Sequence, residues 1–120
     1  RYDNYRHAAH RVDDYIRRIW ETVQSLPEYR DRTTLIITTD HGRGSGLQDW
    51  RDHNAAIDGA ENVWLAFLGP DTPAFGERTN TERLTLSRIA ATLAAFLGED
   101  YHAAVPQSGP VIDEVLPKRN

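Results

Sequence analysis

The chain has no cysteine, which rules out a disulfide and leaves its redox compartment unmarked. It also has no apolar run near the roughly 20 residues that a membrane-spanning helix needs. The opening Arg1-Tyr2-Asp3-Asn4-Tyr5-Arg6 lacks the apolar core of a signal peptide. Nor is there a basic block: a formal net charge of -4 and a pI near 5.7 give no electrostatic footprint for nucleic acid or an anionic membrane surface. Neither is expected as a partner. The compartment stays open between periplasmic, secreted and cytoplasmic.

Methionine is missing as well, and the first residues fall directly into a helical pattern. The chain therefore reads as a portion of something longer. Its 120 residues, 39% of them hydrophobic, suit one compact domain or a piece of a larger one.

Tyr5, Ala8, Val12, Ile16, Ile19, Val23 and Leu26 recur at spacings of three and four, which predicts a long helix with one buried face. Pro27 limits it, because the residue before a proline is pushed out of the helical region. Glu28 to Arg32 reads as a polar connection. Thr33 to Thr39 is β-branched at nearly every position and apolar at its centre, which suits a strand covered on both faces.

About twenty residues from Asp40 to Glu61 are rich in Gly, Asp and Asn and carry no apolar period, so they read as a site-forming loop. A second strand is expected over Val63 to Leu68, stopped by Gly69-Pro70. After the turn-rich stretch from Pro70 to Asn80, Leu86, Ile89, Leu93, Phe96 and Leu97 form a helical stripe that Gly98 can close in a left-handed conformation. The tail beyond Tyr101, with Pro106, Pro110 and Pro117, is expected to be mostly irregular, with a short turn around Val111 to Leu116. Helix, strand, long loop, strand, helix is the order of an α/β fold, here part of a largely parallel sheet flanked by helices and incomplete within this chain.

Asp40 and His41 stand at the carboxyl end of the first strand, where open α/β sheets place ligand sites. One hard oxygen beside one imidazole nitrogen suits zinc or manganese. Gly42 would let the backbone turn so that both side chains face one point. Otherwise Asp40 caps a turn and His41 is a surface residue. His53, in Trp50-Arg51-Asp52-His53-Asn54, is a third possible ligand or a solvated loop histidine, and Asn54 tolerates the left-handed turn that would aim it back at the strand end.

Leu35-Ile36-Ile37-Thr38-Thr39-Asp40-His41-Gly42, the later His53, and Gly59-Ala60-Glu61-Asn62-Val63-Trp64 leading into a strand together resemble the alkaline phosphatase superfamily of phosphatases, sulfatases, phosphodiesterases and phosphomutases. The helix ending Ala94-Ala95-Phe96-Leu97-Gly98 looks like that superfamily's terminal helix. The resemblance spans nearly the whole chain, and its specific part is the strand with Asp-His-Gly.

It implies two divalent metal ions, zinc first and manganese second, sharing the anion of a small-molecule phosphate or sulfate ester. Asp40 and His41 would hold the ion that activates a Ser or Thr nucleophile, and His53 the other. The nucleophile and an Asp-x-x-x-His pair should precede this region. Asp3 and His7 have that spacing but lie inside the predicted first helix, where they read as an i,i+4 helical pair. On that comparison the chain is the carboxyl-terminal portion of a single catalytic domain, and its missing nucleophile would leave it inactive alone.

Among other residues, Ser45, Thr38 and Thr39 are the local hydroxyls. Arg43 either reaches a substrate anion bidentately or is simply solvated. Asp49 and Asp52 either orient His53 or serve loop solubility. Trp50 walls a pocket or anchors the loop, while Trp20 and Trp64 fall in core patterns. The expected function is hydrolysis of phosphate or sulfate esters at a two-metal site. A non-catalytic α/β binding module and a phosphomutase are the alternatives.

Overall fold

A computed structural model describes residues 1–79 and 81–118. Asn80, at the end of the turn-rich stretch, lies outside the described residues. The chain divides into two compact units, Arg1–Gly69 and Pro70–Asn120.

The first unit opens with helix α1, Tyr2–Ser25, as the apolar period requires. Its polar side is tied by Arg17, whose guanidinium forks between Asp14 at 2.5 Å and Glu21 at 2.7 Å. The hydrogen bond that Arg17 donates to Asp14, then that to Glu21, raises the Arg17 pKa above its ordinary value. The helix stops where the proline predicts. Leu26 before Pro27 is already extended, with φ -93° and ψ 120°. Gln24 then receives the exiting chain: its carbonyl accepts from Arg30 Nε at 2.8 Å, and its side-chain oxygen accepts from the Asp31 backbone N–H at 3.1 Å.

The apolar face of α1 is not a buried face. None of its residues is buried, and Val12, Tyr15 and Ile19 are each 53% exposed, while Ile16, Trp20 and Val23 are half-covered.

Strands β1, Leu35–Thr38, and β2, Leu65–Leu68, pair antiparallel, with Leu35 opposite Leu68 and Thr38 opposite Leu65. The expected largely parallel sheet flanked by helices is therefore wrong: among the described residues the sheet has two strands, and they run in opposite directions. The physical reason lies in the connection. Parallel neighbours need a crossover, usually a helix, whereas residues 39–64 contain only turns and irregular backbone, so the chain comes back the other way. Both strands are half-buried and shorter than the apolar runs suggested. Trp64, expected in the core, falls just before β2 and is 53% exposed.

In the second unit a short 3-10 turn, Leu86–Arg88, leads into α2, Ile89–Phe96. Gly98 closes it as anticipated, at φ 80°, with its N–H donating to Ala95 and that of Glu99 to Ala94. The buried side of α2 is not the leucine stripe, however. Ala91 and Thr92 are buried, and Leu93 and Leu97 are exposed.

The tail closes on Thr92. The Thr92 hydroxyl donates to the Arg88 carbonyl at 2.7 Å and accepts from the Ile112 N–H at 3.0 Å, and Ile112 is buried. Arg88 adds bonds to the carbonyls of Pro110 at 3.0 Å and Val111 at 2.9 Å. The tail contains a four-residue helix that sequence reading missed, α3, Tyr101–Ala104, capped by Asp100, whose carboxylate accepts from the His102 N–H at 2.9 Å. The expected turn near Val111 to Leu116 is a 3-10 turn, Asp113–Val115.

Candidate functional site

Strand β1 delivers its carboxyl end to Asp40 and His41. The Asp40 carboxylate folds back to accept the His41 backbone N–H at 3.0 Å, which brings Oδ1 to 3.7 Å from His41 Nε2. On the other side of the ring, Nδ1 lies 2.7 Å from the Gly42 carbonyl oxygen. A carbonyl only accepts, so Nδ1 carries a proton, and in the neutral ring Nε2 holds the lone pair. That is the arrangement in which a histidine ligates through one nitrogen while the other is held.

Gly42 matters for space. It is not among the glycines with positive φ. Its N–H donates to Ala60 at 2.7 Å, and a Cβ here would run into the carbonyl oxygens of Asn62 and Gly59. The end of the loop thus lies across the strand end, with Ala60 buried beneath it.

His53 is brought to the same place. Its ring stacks on that of His41, with centres 4.2 Å apart and planes within 10° of parallel. Asn54 does not do this by a left-handed turn. Asp31 is the non-glycine residue with positive φ among the described residues, and Asn54 instead accepts the Ala56 N–H at 2.9 Å through its side-chain oxygen.

The donors can be tested against a metal ion. Two ligands about 2.0–2.1 Å from a tetrahedral ion stand about 3.3–3.4 Å apart. The Nε2 to Oδ1 separation of 3.7 Å is close to that, and Asp40 and His41 fit one ion. The stacked rings, in contrast, do not fit a shared ion. Imidazole lone pairs lie in the ring plane, and two near-parallel planes up to 4.2 Å apart have no common point within bonding reach of both. Among the described residues no three His, Asp or Glu side chains converge on one ion. The donors of this chain are a pair and a single.

Arg43 turns to the amino end of α1. One terminal nitrogen donates to the Gly44 carbonyl at 3.0 Å and the other to the Tyr2 hydroxyl at 2.9 Å, while the guanidinium carbon lies 4.7 Å from the centre of the Tyr5 ring. The Tyr5 hydroxyl first, opposed by partial burial and aided by Tyr2, raises the Arg43 pKa. Trp50 meets the ring of Tyr2 edge-on at 5.3 Å and that of Tyr5 at 6.2 Å, so it anchors the loop to α1. Tyr2 is the residue that sequence reading missed. Its signal was a second aromatic three residues before Tyr5, on a helix start that loop residues had to meet.

The remaining candidates have other uses. The Asp49 carboxylate accepts the Gly46 N–H at 2.7 Å, which closes the loop turn; it does not orient His53. Thr38 donates to the Thr39 and Trp64 carbonyls at 3.0 and 3.1 Å, so its hydroxyl proton is committed. Ser45 is exposed, and Asp3 pairs with Arg1 at 3.4 Å.

In comparisons with known proteins, no family model matches this chain, and no curated protein or solved structure does.

Proposed function

We propose that the chain serves metal-dependent hydrolysis of phosphate or sulfate esters, supplying Asp40 and His41 to one divalent ion and His53 to a second. The observation that carries this reading is the parallel stack of His41 and His53. Lone pairs in two planes up to 4.2 Å apart suit two ions at the roughly 3.5–4 Å spacing of two-metal sites better than they suit one. The free Nε2 of His41 and the neighbouring Asp40 carboxylate add to it, as does the resemblance to the alkaline phosphatase superfamily. Zinc suits the mixed nitrogen and oxygen donors best, with manganese second. Such ions, when bound, offset charge on the transferring oxygens and lower the pKa of an attacking hydroxyl.

In this reading the chain's own residues ligate and orient. His41 presents Nε2 because Gly42 holds Nδ1, and Gly42 admits the backbone of residues 59–62 across the strand end. The attacking hydroxyl is not assigned to this chain, since that of Thr38 is already bonded.

The test is metal and rate together. A protein that joins this chain to the nucleophile and the remaining ligands should take up about two divalent ions per chain. Zinc uptake and ester hydrolysis that survive Asp40→Ala combined with His41→Ala would overturn the reading. Release of inorganic phosphate or sulfate separates hydrolysis from phosphate transfer within one substrate. A second reading, a non-catalytic binding module, is favoured by the exposed Val12, Tyr15 and Ile19 on α1. It predicts that a chelator leaves folding and partner binding untouched.

A further inference from the structure

We infer that Arg43 is the seat for the anionic group of the ligand and that Tyr2 and Tyr5 are the residues that position it. This rests on the ester-hydrolase reading for the identity of the ligand, a tetrahedral oxyanion, but not for the existence of the seat.

A loop arginine left to itself carries its head group into water. Arg43 does not. It is half-buried, and its guanidinium is fixed from several directions: by the Gly44 carbonyl at 3.0 Å, by the Tyr2 hydroxyl at 2.9 Å, and by the Tyr5 and Tyr2 rings at 4.7 and 5.4 Å from its carbon. The two tyrosine rings stack on each other at 5.7 Å, and Trp50 closes on both edge-on. A planar group held this way has lost its rotational freedom before any ligand arrives.

What it lacks is a counter-charge. The ion pairs of arginines among the described residues join Arg1, Arg17, Arg78 and Arg88 to carboxylates, and none involves Arg43. All the partners that hold it are neutral, and a partly covered charge without an opposite charge is open to an anion. The two bonds it makes also leave most of the guanidinium's five N–H donors unspent. A fixed planar fork with spare donors matches the paired oxygens of phosphate or sulfate.

The Tyr2 hydroxyl orients the fork and the Tyr5 ring supports its face, so the two can be told apart. The experiment uses the whole chain in chelator, with inorganic phosphate and inorganic sulfate as probes, and follows the Arg43 Nε–H resonance by nitrogen NMR. Titration should move that resonance to saturation. Arg43→Lys should weaken binding by about tenfold or more, because an ammonium cannot donate bidentately. Tyr2→Phe should weaken it by roughly three- to tenfold through loss of a hydrogen bond to a charged group, with melting temperature and zinc uptake unchanged. Tyr5→Phe keeps the ring but removes the hydroxyl that raises the Arg43 pKa, so it should weaken binding by less than Arg43→Lys does.

An Arg43 resonance that does not respond, or a Tyr2→Phe chain that binds both anions as the parent does, overturns the proposal. Saturable binding at Arg43 in a chain whose zinc uptake ignores Asp40 and His41 upholds the seat and overturns only the hydrolase reading.

Discussion

His41 and His53 lie face to face, ring centres 4.2 Å apart, although they stand twelve positions apart in sequence. The first prediction follows from the direction of their lone pairs. If each ring serves its own ion, His53→Ala should lower zinc uptake from about two ions per chain to about one and leave the tighter, Asp40-dependent ion in place. His41→Ala should do the converse. Equilibrium dialysis with metal analysis reads both. Loss of all zinc in either single variant would mean that the two histidines chelate one ion together and that the stack rearranges to allow it.

How much of this was legible beforehand differs by element. The span of α1 and its end at Pro27 were readable because period and proline act locally. The Gly98 closure was readable for the same reason. Strand direction was not: Thr33 to Thr39 and Val63 to Leu68 announce two apolar strands, but parallel or antiparallel pairing is decided by the path between them, and nothing local in Asp40 to Glu61 says that it lacks a crossover helix. The second unit misled for a related reason. The leucine stripe 86, 93 and 97 has helical spacing, yet the tail settled on the Ala91–Thr92 side, where a hydroxyl could satisfy the Ile112 N–H.

The site shows the same division. Asp40, His41 and His53 were named from residue type and position, and the structure brings the two imidazoles together. The role given to Asn54 was argued from a left-handed backbone conformation that it does not have, and Gly42 works through the space it leaves. One supplies room and the other a side-chain turn. The contact of Arg43 with Tyr2 spans 41 positions and depends on how α1 meets the loop, which no local pattern encodes.

The second prediction concerns that room. A methyl group at Gly42 would meet the carbonyl oxygens of Asn62 and Gly59, and both belong to backbone that cannot swing aside as a side chain can. Gly42→Ala should therefore cost about 1–3 kcal/mol by overpacking, through displacement of residues 59–62. Amide exchange at Gly42, now donating to Ala60 at 2.7 Å, should accelerate sharply. Unchanged protection there would show that the loop can move off the strand end without loss.

The third prediction tests what holds the tail. Thr92 is fully buried and its hydroxyl serves two backbone groups, donating to Arg88 and accepting from Ile112. Thr92→Val keeps the shape and removes the acceptor, leaving the Ile112 N–H buried without a partner at a cost of about 1–3 kcal/mol. Thr92→Ser keeps the hydroxyl and loses one methyl group, so it should cost about 1 kcal/mol, mostly from packing. Denaturant unfolding should rank the parent above Thr92→Ser and Thr92→Val last, and the exchange rate of the Ile112 amide should rise most in the valine variant. The reverse order for the two variants would mean that apolar contact, not the hydroxyl, fastens the tail. In that case Arg88, with its bonds to Pro110 and Val111, and the Gly109 N–H, which donates to the Ser87 carbonyl at 3.2 Å, would be left to set the register of residues 109–112.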